Sequence, residues 1–359
     1  MLPFEYVEAD SFQSACSLID HRSTMALGGG TTLIDLMKLN VLKPSSLVSI
    51  KPLLSNYIIK GKAHLKIGAA CTMAQLAENG FVKNDFPALR QSLILAASPQ
   101  IRNMATIAGN ILQRSRSPYY RHPDFPDPNA GTKDPFELEV DASHLAILGH
   151  GDRLMGTYPG DLAVVLLAFD ASVVLASDRE TRVVALRDFL NIPQNGQNQY
   201  DVDLLPGELI TEVLIPTHKR RSLFKRSIYY KVRERSSYAF ALASAGIGLQ
   251  LQGIGPKTSY IEDVHIALGG VAPIPWRAKD AETFLKGKRP SDEAFMAAAE
   301  IALRDARAPM GGDYKITLAK RTLVRALKIA RDRGALSDDQ VWELQHGRGS
   351  AGTTEEAKI

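Results

Sequence analysis

The sequence predicts a protein of mixed helices and strands that is divided into two or three domains. Its 359 residues, 45% of them hydrophobic, are enough to form more than one sizeable core. Up to residue 216, short strands alternate with helices and glycine-rich loops, whereas longer strands and then amphipathic helices follow. This change of pattern predicts a domain boundary in the basic connector near residues 217–225.

Short elements alternate in the N-terminal part of the chain. A strand over 24–30 runs into a glycine loop, and helical spacing resumes over 31–40, with Thr31 or Thr32 as the N-cap. The other elements predicted here are a helix over 11–21, strands over 47–50 and 57–70, the latter with a turn at Gly61 and Lys62, and helices over 72–79 and 87–98.

Residues 114–160 form a long segment with poor periodicity that is rich in Pro, Asp, Gly, His and Arg. Irregular segments of this length inside a compact domain are usually functional or disordered. After it, the pattern predicts a helix and then a strand over 161–177, with a hinge near Asp170, and a further strand over 206–216.

The C-terminal part has the longest periodic stretches. The predicted elements are strands over 227–235, 238–253 and 259–273, and helices over 278–287, 291–306 and 316–334. The end of the chain is polar and is expected to be flexible. The predicted organisation is therefore subdomains 1–55 and 56–218, the latter with the irregular insert 114–160, then a domain 225–335 and a tail 336–359.

Charge and hydropathy exclude several classes of protein. The net charge of +4 is spread along the chain, and the basic run at 218–226 is interpreted as a solvated connector, so no nucleic-acid partner is expected. No apolar run reaches 18 residues, and the N-terminus has no basic or apolar region typical of a signal peptide. These features predict a cytoplasmic protein with no membrane span, although export together with a partner stays open.

Only two cysteines, Cys16 and Cys71, occur in the chain, and they are far apart. Both are expected to be reduced, buried small hydrophobic residues rather than a disulfide. Two cysteines are also too few for an iron–sulfur cluster, which needs about four protein ligands.

A glycine loop is the first candidate binding feature, in the sequence ALGGGTTLIDLMK at 26–38. Three consecutive glycines after a strand can expose backbone N–H groups, and the helix start behind them adds a positive dipole end that suits a phosphate. The pattern is not the dinucleotide fingerprint G-x-G-x-x-G. Taken alone, the pattern slightly favours a plain strand–turn–helix junction.

A second polar loop follows at 98–113, where Ser98, Asn103, Thr106 and Asn110 are interleaved with Gly109. Such a loop can present several hydrogen-bonding groups while the backbone approaches a ligand closely. The alternative is a polar turn between two strands. Two loops of this kind in one domain favour a ligand large enough to contact both.

A third candidate lies on a strand in the C-terminal part, in YYKVRERSSYAFALAS at 229–244. Lys231, Arg233 and Arg235 alternate there, and they lie on one face if the segment is extended. They can form a solvent-facing charged edge, or Lys231 or Arg233 can reach a phosphate or an electron-rich ring on the neighbouring domain.

These segments occur in the order seen in one known family. With YPGDLAVVLLAFDA at 158–171, PGELITEVLIP at 206–216 and IEDVHIALGGVAPIPWRA at 261–278, the chain resembles the FAD-binding medium subunits of molybdenum hydroxylases over about residues 3–330. The family includes xanthine dehydrogenase, aldehyde oxidoreductase, CO dehydrogenase and 4-hydroxybenzoyl-CoA reductase types. The resemblance implies an α+β fold, with a PCMH-type (vanillyl-alcohol-oxidase-like) FAD-binding module of two subdomains and a C-terminal αβ domain like that of CO dehydrogenase flavoproteins.

The resemblance also implies an oxidoreductase subunit, its partners and its cofactor residues. Electrons would leave a molybdopterin centre on a large subunit and pass through two [2Fe-2S] clusters on a small subunit. FAD on this chain would receive them and pass them to an external acceptor. Lys231 would be a basic residue near the isoalloxazine, Asp161 an acidic residue on the adenosine and ribitol side, and Leu205 an apolar flavin contact. The remaining implied contacts are Leu27, Gly28, Gly29, Gly30, Thr31, Thr32 and Leu33 of the pyrophosphate loop, and Asn103, Thr106, Gly109 and Asn110 of the second loop.

The segment QRSRSPYYR at 113–121 departs from part of the family. Some members carry an extra [4Fe-4S] cluster here, in a pattern Q-R-x-R-C-x-Y-[FY]-R with three further cysteines. Ser117 stands at the position of the first cysteine, and residues 114–160 contain no cysteine. No [4Fe-4S] cluster is therefore expected. His122, His144 and His150 could rebuild a metal site, but a loop covering the flavin or a partner is the plainer interpretation.

Two other functions are weighed against an electron-transfer subunit. A stand-alone FAD oxidoreductase of the same fold is disfavoured, because no general base with a partner stands near the loops. A flavin-free scaffold that docks partner subunits is disfavoured by both loops and by Lys231. Neither the substrate nor the electron acceptor follows from this sequence.

Overall fold

Parallel strands at the N-terminus form the first of three larger sheets in a computed structural model of the chain. The structure describes residues 1–122, 135–137, 140–192, 201–217, 221–253, 258–334 and 336–346. In the first sheet the strand order is β1-β3-β2, and parallel pairing requires the connecting helices α1 and α2. These elements are β1 (Glu5–Glu8), α1 (Phe12–Leu18), β2 (Thr24–Leu27), α2 (Leu33–Lys38) and β3 (Ser46–Ser49).

The second sheet is antiparallel and is assembled from distant parts of the chain, in the order β4-β5-β10-β6-β7. Its strands are β4 (Ile58–Lys60), β5 (His64–Gly68), β6 (Ser172–Ala176), β7 (Thr181–Ala185) and β10 (Leu209–Pro216), and a small pair is formed by β8 (Leu190–Asn191) and β9 (Asp201–Val202). The predicted hinge is present, because Asp170 has a positive φ of 51° between a helix and β6.

Helices occupy the stretch between β5 and β6, both beside the insert and, in the case of α8, within it. They are α3 (Met73–Glu78), α4 (Gly80–Asp85), α5 (Pro87–Ile94), α6 (Pro99–Met104), α7 (Ile107–Ile111), α8 (Pro118–Arg121) and α9 (Asp161–Ala168), with α10 (Leu186–Phe189) after β7. The second polar loop is therefore a pair of short helices, α6 and α7, and not a turn between strands. Ser98 and Thr106 cap them, each accepting a hydrogen bond from a backbone N–H three residues on.

The third sheet is antiparallel, in the order β11-β12-β13-β14, and helices follow it. The elements are α11 (Arg221–Lys225), β11 (Ser227–Val232), β12 (Ala243–Gln252), β13 (Tyr260–Gly269), β14 (Trp276–Arg277), α12 (Lys279–Leu285), α13 (Asp292–Ala302), α14 (Asp313–Asp332) and α15 (Asp338–His346). The strands of the three larger sheets fall within the predicted ranges 1–55, 56–218 and 225–335.

Two buried helices join the middle of the chain to the third sheet. Helix α9 packs against β12 and β13, and α5 packs against β11. Glycine permits the close approach of α9, because a Cβ at Gly246 would lie 3.3 Å from Val165 Cγ2. Phe224 before β11 packs its ring centroid 5.2 Å from that of Phe86 and 4.6 Å from that of Phe169. One apolar core therefore extends across this junction and fixes the start of α9 beside β11.

The expected flexible tail is wrong for residues 336–346. Helix α15 lies there, with Leu336 and Val341 buried. Asp338 accepts hydrogen bonds from the buried Arg90, with Nε–Oδ1 at 2.9 Å and Nη2–Oδ2 at 2.6 Å. The polar composition of this segment does not indicate that two of its apolar side chains are buried or that Asp338 forms an ion pair. The rest of the predicted tail, 347–359, lies outside the described residues, as do 123–134 and 138–139 of the insert.

Candidate functional site

Two chambers lie between the glycine loop, helices α6 and α7 and the end of β11, and they meet at Thr31 and Thr32. The wide chamber has a volume of about 430 Å³ and extends toward β11. The narrow chamber, about 180 Å³, is enclosed by the glycine loop and by residues of the first two subdomains. A cleft with two lobes and a polar waist suits an elongated ligand with two bulky ends.

The wall of the narrow chamber depends on glycine. A Cβ at Gly29 would lie 2.9 Å from the carbonyl carbon of Met104 and closer still to its oxygen, so this position has no room for a side chain. A Cβ at Gly28 would lie 3.1 Å from Thr106 Oγ1. Gly30 adopts a φ of +72°, which L side chains rarely tolerate. The two predicted loops are therefore in direct contact and form one wall.

An unpaired hydrogen-bond acceptor lies at the wide chamber. Asn110 Oδ1 is buried and has no partner among the residues that the structure describes, whereas its Nδ2 donates to Met73 Sδ at 3.3 Å. Leaving a buried polar atom unsatisfied costs about 1–3 kcal/mol, so such an atom calls for an explanation. A ligand hydroxyl or N–H group in the chamber would satisfy it.

A buried cluster of three polar side chains forms the far end of the wide chamber. Lys231 Nζ donates to Asp161 Oδ2 at 2.7 Å and to the Leu95 carbonyl at 3.2 Å, and Tyr229 Oη donates to Asp161 Oδ1. Burial lowers the pKa of Lys231, and the Asp161 carboxylate opposes that shift. Burial, reinforced by Asp161, raises the pKa of Tyr229 well above its ordinary value. The Asp161 carboxylate therefore accepts hydrogen bonds from both Tyr229 and Lys231, and the Lys231 side chain lines the chamber.

Eleven of the fourteen predicted contact residues line the two chambers. Gly28, Gly29, Gly30, Thr31, Thr32, Leu33, Thr106 and Gly109 line the narrow one, and Thr31, Thr32, Asn110, Asp161 and Lys231 line the wide one. The other three do not line these chambers as the structure describes them. Leu27 lies at the end of β2, Asn103 on an adjoining depression beside Lys51, and Leu205 is 51% exposed, with Leu204 lining the narrow chamber instead.

Asp161, which the family resemblance associates with the adenosine and ribitol side of a bound FAD, lines the wide chamber together with Lys231. Both ends of the pair come from elements that the junction packs together: Asp161 begins α9, and Lys231 lies on β11. Seventy positions separate the two residues, so their contact is set by the tertiary fold and has no local signal.

Further charged and aromatic residues, which the sequence analysis did not assign to a flavin site, also line the cleft. Arg114 lines the narrow chamber, and Arg116, His144 and Glu234 line the wide one. Arg116 stacks on Phe240 with its guanidinium carbon 4.6 Å from the ring centroid. Burial lowers the pKa of His144, and the nearby Lys315 lowers it further. The arginines lie in a segment that had been interpreted only through its missing cysteine.

His144 and His150 of the insert lie in different surroundings. His150 has both ring nitrogens at backbone carbonyls, Gly151 at 2.5 Å and Arg307 at 3.1 Å, whereas His144 faces the wide chamber. Among the residues that the structure describes, no group of three His, Cys, Asp or Glu could hold a metal ion. Cys16 and Cys71 are buried and unpaired, as expected.

Comparison with known proteins gives two family matches that together span most of the chain. Residues 2–218 match the FAD binding domain in molybdopterin dehydrogenase, and residues 228–330 match the CO dehydrogenase flavoprotein C-terminal domain. In the described part of the chain, no helix is long and apolar enough to cross a membrane.

Relatives of known sequence and structure agree with these matches. The chain is 35% identical to the aldehyde oxidoreductase FAD-binding subunit PaoB of Escherichia coli K12 over 311 residues, which are 85% of this chain and 91% of that protein. It is 26% identical to the carbon monoxide dehydrogenase medium chain of Afipia carboxidovorans, over 93% and 99% of the two chains. The fold is shared with a chain of CO dehydrogenase from Oligotropha carboxidovorans, at a TM-score of 0.70 and 24% identity, with 93% and 100% covered.

Proposed function

This chain belongs to the family of FAD-binding medium subunits of molybdenum hydroxylases, and we propose that it carries electrons between partner subunits and an external acceptor. In this proposal FAD occupies the two-lobed cleft and supplies reversible electron transfer when bound. A small [2Fe-2S] subunit delivers the electrons, and a large molybdopterin subunit is their source. In this proposal the substrate binds on the large subunit and not on this chain.

The cleft geometry is the observation that carries the proposal. FAD has two ring systems joined by a diphosphate, and the two chambers meet at a polar waist formed by Thr31 and Thr32. Asn110 Oδ1, buried and unpaired, is positioned to accept from a ligand hydroxyl or N–H group. Gly28, Gly29 and Gly30 line the narrow chamber without side chains, so a phosphate could approach their backbone closely. We assign the isoalloxazine to the wide chamber and the adenosine to the narrow one.

Lys231 is the residue best placed to adjust the cofactor. Its side chain is only 1% exposed and lines the chamber assigned to the isoalloxazine. A buried cation stabilises the negative charge that a flavin gains on reduction. Asp161 and the Leu95 carbonyl hold the ammonium at that position.

We further propose that no [4Fe-4S] cluster is bound by this chain. Ser117 stands where the first cluster cysteine of related proteins would be, and residues 114–160 contain no cysteine. Ser117 is 1% exposed and packs against Gly156, where a Cβ would lie only 2.7 Å from Ser117 Cβ. The surroundings are thus filled by small side chains and backbone.

The test is to purify the full chain alone and together with co-expressed partner subunits, and to record the visible spectrum and iron content of each. Flavin absorption with no iron in the isolated chain, and iron only in the complex, is the expected result. Iron in the isolated chain would refute the absence of a cluster. A colourless chain that still binds an iron–sulfur partner would favour the docking scaffold, and turnover without partners would favour a stand-alone oxidoreductase.

A further inference from the structure

The insert places one histidine at the wide chamber. His144 lines that chamber, and its backbone is held from two sides. Thr157 donates from its N–H and from its hydroxyl to the His144 carbonyl, at 2.9 and 3.3 Å. Lys315 Nζ donates to the carbonyls of Ser143 and Leu145, the residues before and after the histidine, at 2.8 and 2.6 Å. The backbone that carries the ring therefore has a defined position at the chamber wall.

The imidazole of His144 is half-buried, and it does not tie two parts of the described fold together. His21, His150 and His265 each have a ring nitrogen within hydrogen-bond distance of a backbone carbonyl. Within the described ranges, neither ring nitrogen of His144 makes a hydrogen bond, although the side chain lines the chamber. A neutral imidazole carries one N–H and one nitrogen that can accept a proton. The ring is therefore available for proton exchange with the contents of the chamber.

Charged side chains from several elements act on the protonation of His144. They are Lys315 of α14, Asp141 of the same segment, Glu234 after β11 and Arg116 after α7. Burial lowers the pKa of His144 below its usual 6.5, Lys315 and Arg116 lower it further, and Asp141 and Glu234 oppose the shift. The other titratable side chains at the wall of the wide chamber are Asp161, Lys231, Arg235 and Tyr238. At neutral pH, His144 is therefore mostly uncharged and able to gain a proton.

A negative charge in the chamber would change the protonation state of this ring. Under the proposed function, two electrons from the partner clusters and one proton convert FAD into a reduced anion, and the clusters themselves deliver no proton. An anion close to an imidazole raises its pKa, because the anion stabilises the imidazolium form. Lys231 is already paired with Asp161, whereas His144 can answer the new charge by binding a proton.

We propose that His144 binds one proton when the flavin is reduced and releases it when the flavin is oxidised again. This inference rests on the proposed function, and it gives the insert a role at the flavin chamber that needs no metal cluster. Reduction then consumes two electrons and two protons, of which one is bound by the flavin and one by His144. An acceptor that takes only electrons leaves both protons to solvent, whereas a hydride acceptor takes the flavin proton with the electrons.

The test is a spectroelectrochemical titration of the FAD-loaded full chain at a series of pH values. The pH dependence of the midpoint potential gives the number of protons that are taken up with each pair of electrons. His144→Gln should take up about one proton fewer than wild type near neutral pH, where the difference is largest. His64→Gln is the control and should behave as wild type, since His64 lies on β5 and lines neither chamber.

An NMR titration of the histidine ring protons in wild type is a second measurement that needs no variant. Of the eight histidines in the chain, one should have a pKa below 6.5 with oxidised FAD and a higher pKa with reduced FAD. That resonance should be missing from the spectrum of His144→Gln. A histidine with a purely structural role would keep the same pKa in both states of the flavin.

The outcomes separate this inference from the proposed function. A wild-type chain that binds no FAD would overturn the proposed function and this inference with it. Equal proton uptake by FAD-loaded wild type and His144→Gln would overturn the role of His144 alone, as would loss of the extra proton in Glu234→Gln or Lys315→Met but not in His144→Gln. If His144→Gln does not fold or bind FAD, the NMR titration of wild type decides, because no histidine pKa that rises on reduction would overturn the inference.

Discussion

Asp161 and Lys231 form a buried ion pair, with Oδ2 and Nζ 2.7 Å apart and the two side chains only 5% and 1% exposed. The pair connects the first residue of α9 with β11, so it links the flavin-binding part of the chain to the C-terminal sheet. Tyr229 donates to the second carboxylate oxygen. The carboxylate and the ammonium are both hydrogen-bonded. Removal of one of them should therefore lower the free energy of unfolding, because the other would stay buried without its counterion.

Asp161→Asn is expected to lower the free energy of unfolding by about 3–5 kcal/mol, because it leaves the buried Lys231 ammonium without its counterion. Urea unfolding of the full chain, followed by tryptophan fluorescence, would measure the change. Asp152→Asn is the matched control, since the Asp152 side chain is fully exposed and lies 3.7 Å from Arg307. Equal stabilities for the two variants would show that the buried pair contributes nothing.

Lys231→Gln is expected to make the flavin harder to reduce, so its midpoint potential should become more negative. The cause is the loss of a buried cation beside the chamber assigned to the isoalloxazine, where negative charge develops on reduction. A spectroelectrochemical titration of the FAD-loaded chain would measure the potential. Lys279→Gln, whose side chain is 56% exposed on α12, serves as the control. An unchanged potential in Lys231→Gln would place the flavin ring elsewhere.

Gly29→Ala is expected to weaken FAD binding and to destabilise the chain by about 1–3 kcal/mol, as overpacking does. The added methyl would lie 2.9 Å from the Met104 carbonyl carbon and force the glycine loop away from α6. Fluorescence titration with FAD and thermal unfolding would measure the two effects. Gly80→Ala is the control, because a Cβ there meets nothing within 4 Å. A Gly29→Ala chain that binds FAD normally would argue against the loop contact.

Local requirements explain why much of the site could be predicted. Three consecutive glycines after a strand mark the glycine loop in the sequence, and Gly29 and Gly30 do require glycine. Asn110 was found because polar and small residues alternate in the second loop. In both cases the signal lies within a few residues, and family resemblance supplied the rest.

Long-range contacts explain what could not be predicted. The contact of Asp161 with Lys231, the position of Arg116 and the ion pair of Arg90 with Asp338 each join residues that are at least 70 positions apart. No pattern within a window of the sequence reports such pairs. The family resemblance points to Leu205, whereas the structure exposes Leu205 and places Leu204 in the narrow chamber, because the path of the backbone decides which of two adjacent leucines turns inward.

The ion pair between Arg90 and Asp338 of α15 is expected to make a modest, pH-dependent contribution to stability. The hydrogen bond from Arg90 lowers the pKa of Asp338 below 3.8, so the folded state favours the carboxylate. Its contribution should be present above pH about 4 and be lost as the pH falls through the folded-state pKa. Asp338→Asn should cost about 1 kcal/mol at neutral pH, because the carboxylate is partly exposed, and nothing at low pH.

Urea unfolding of wild type and Asp338→Asn at several pH values would measure this contribution. Asp339→Asn, next to it in the first turn of α15, is the control for loss of a charge at the helix start. A difference between wild type and Asp338→Asn that does not shrink on acidification would show that the charge on Asp338 is not what anchors α15.

The buried ammonium of Lys315 should make the stability of the chain depend on pH, because it donates to backbone carbonyl oxygens. The side chain is fully buried, and Nζ donates to the carbonyl oxygens of Leu145 at 2.6 Å, Ser143 at 2.8 Å and Ala142 at 3.4 Å. Burial lowers its pKa from 10.5 to about 7, against a weaker opposing effect of Asp141. Between these values the unfolded chain binds one more proton than the folded chain, so stability should rise with pH.

A complete difference of one proton corresponds to a slope of about 1.4 kcal/mol per pH unit. Urea unfolding can measure the free energies of unfolding of wild type and Lys315→Met between pH 7 and pH 10. Over this range we expect the wild-type value to rise with pH relative to the value for Lys315→Met. Lys279→Met, a half-exposed lysine, controls for the loss of a lysine in general. A constant difference over this range would mean that Lys315 keeps its proton when the chain folds. Its three carbonyl partners would then hold a permanent cation between α14 and the segment that carries His144.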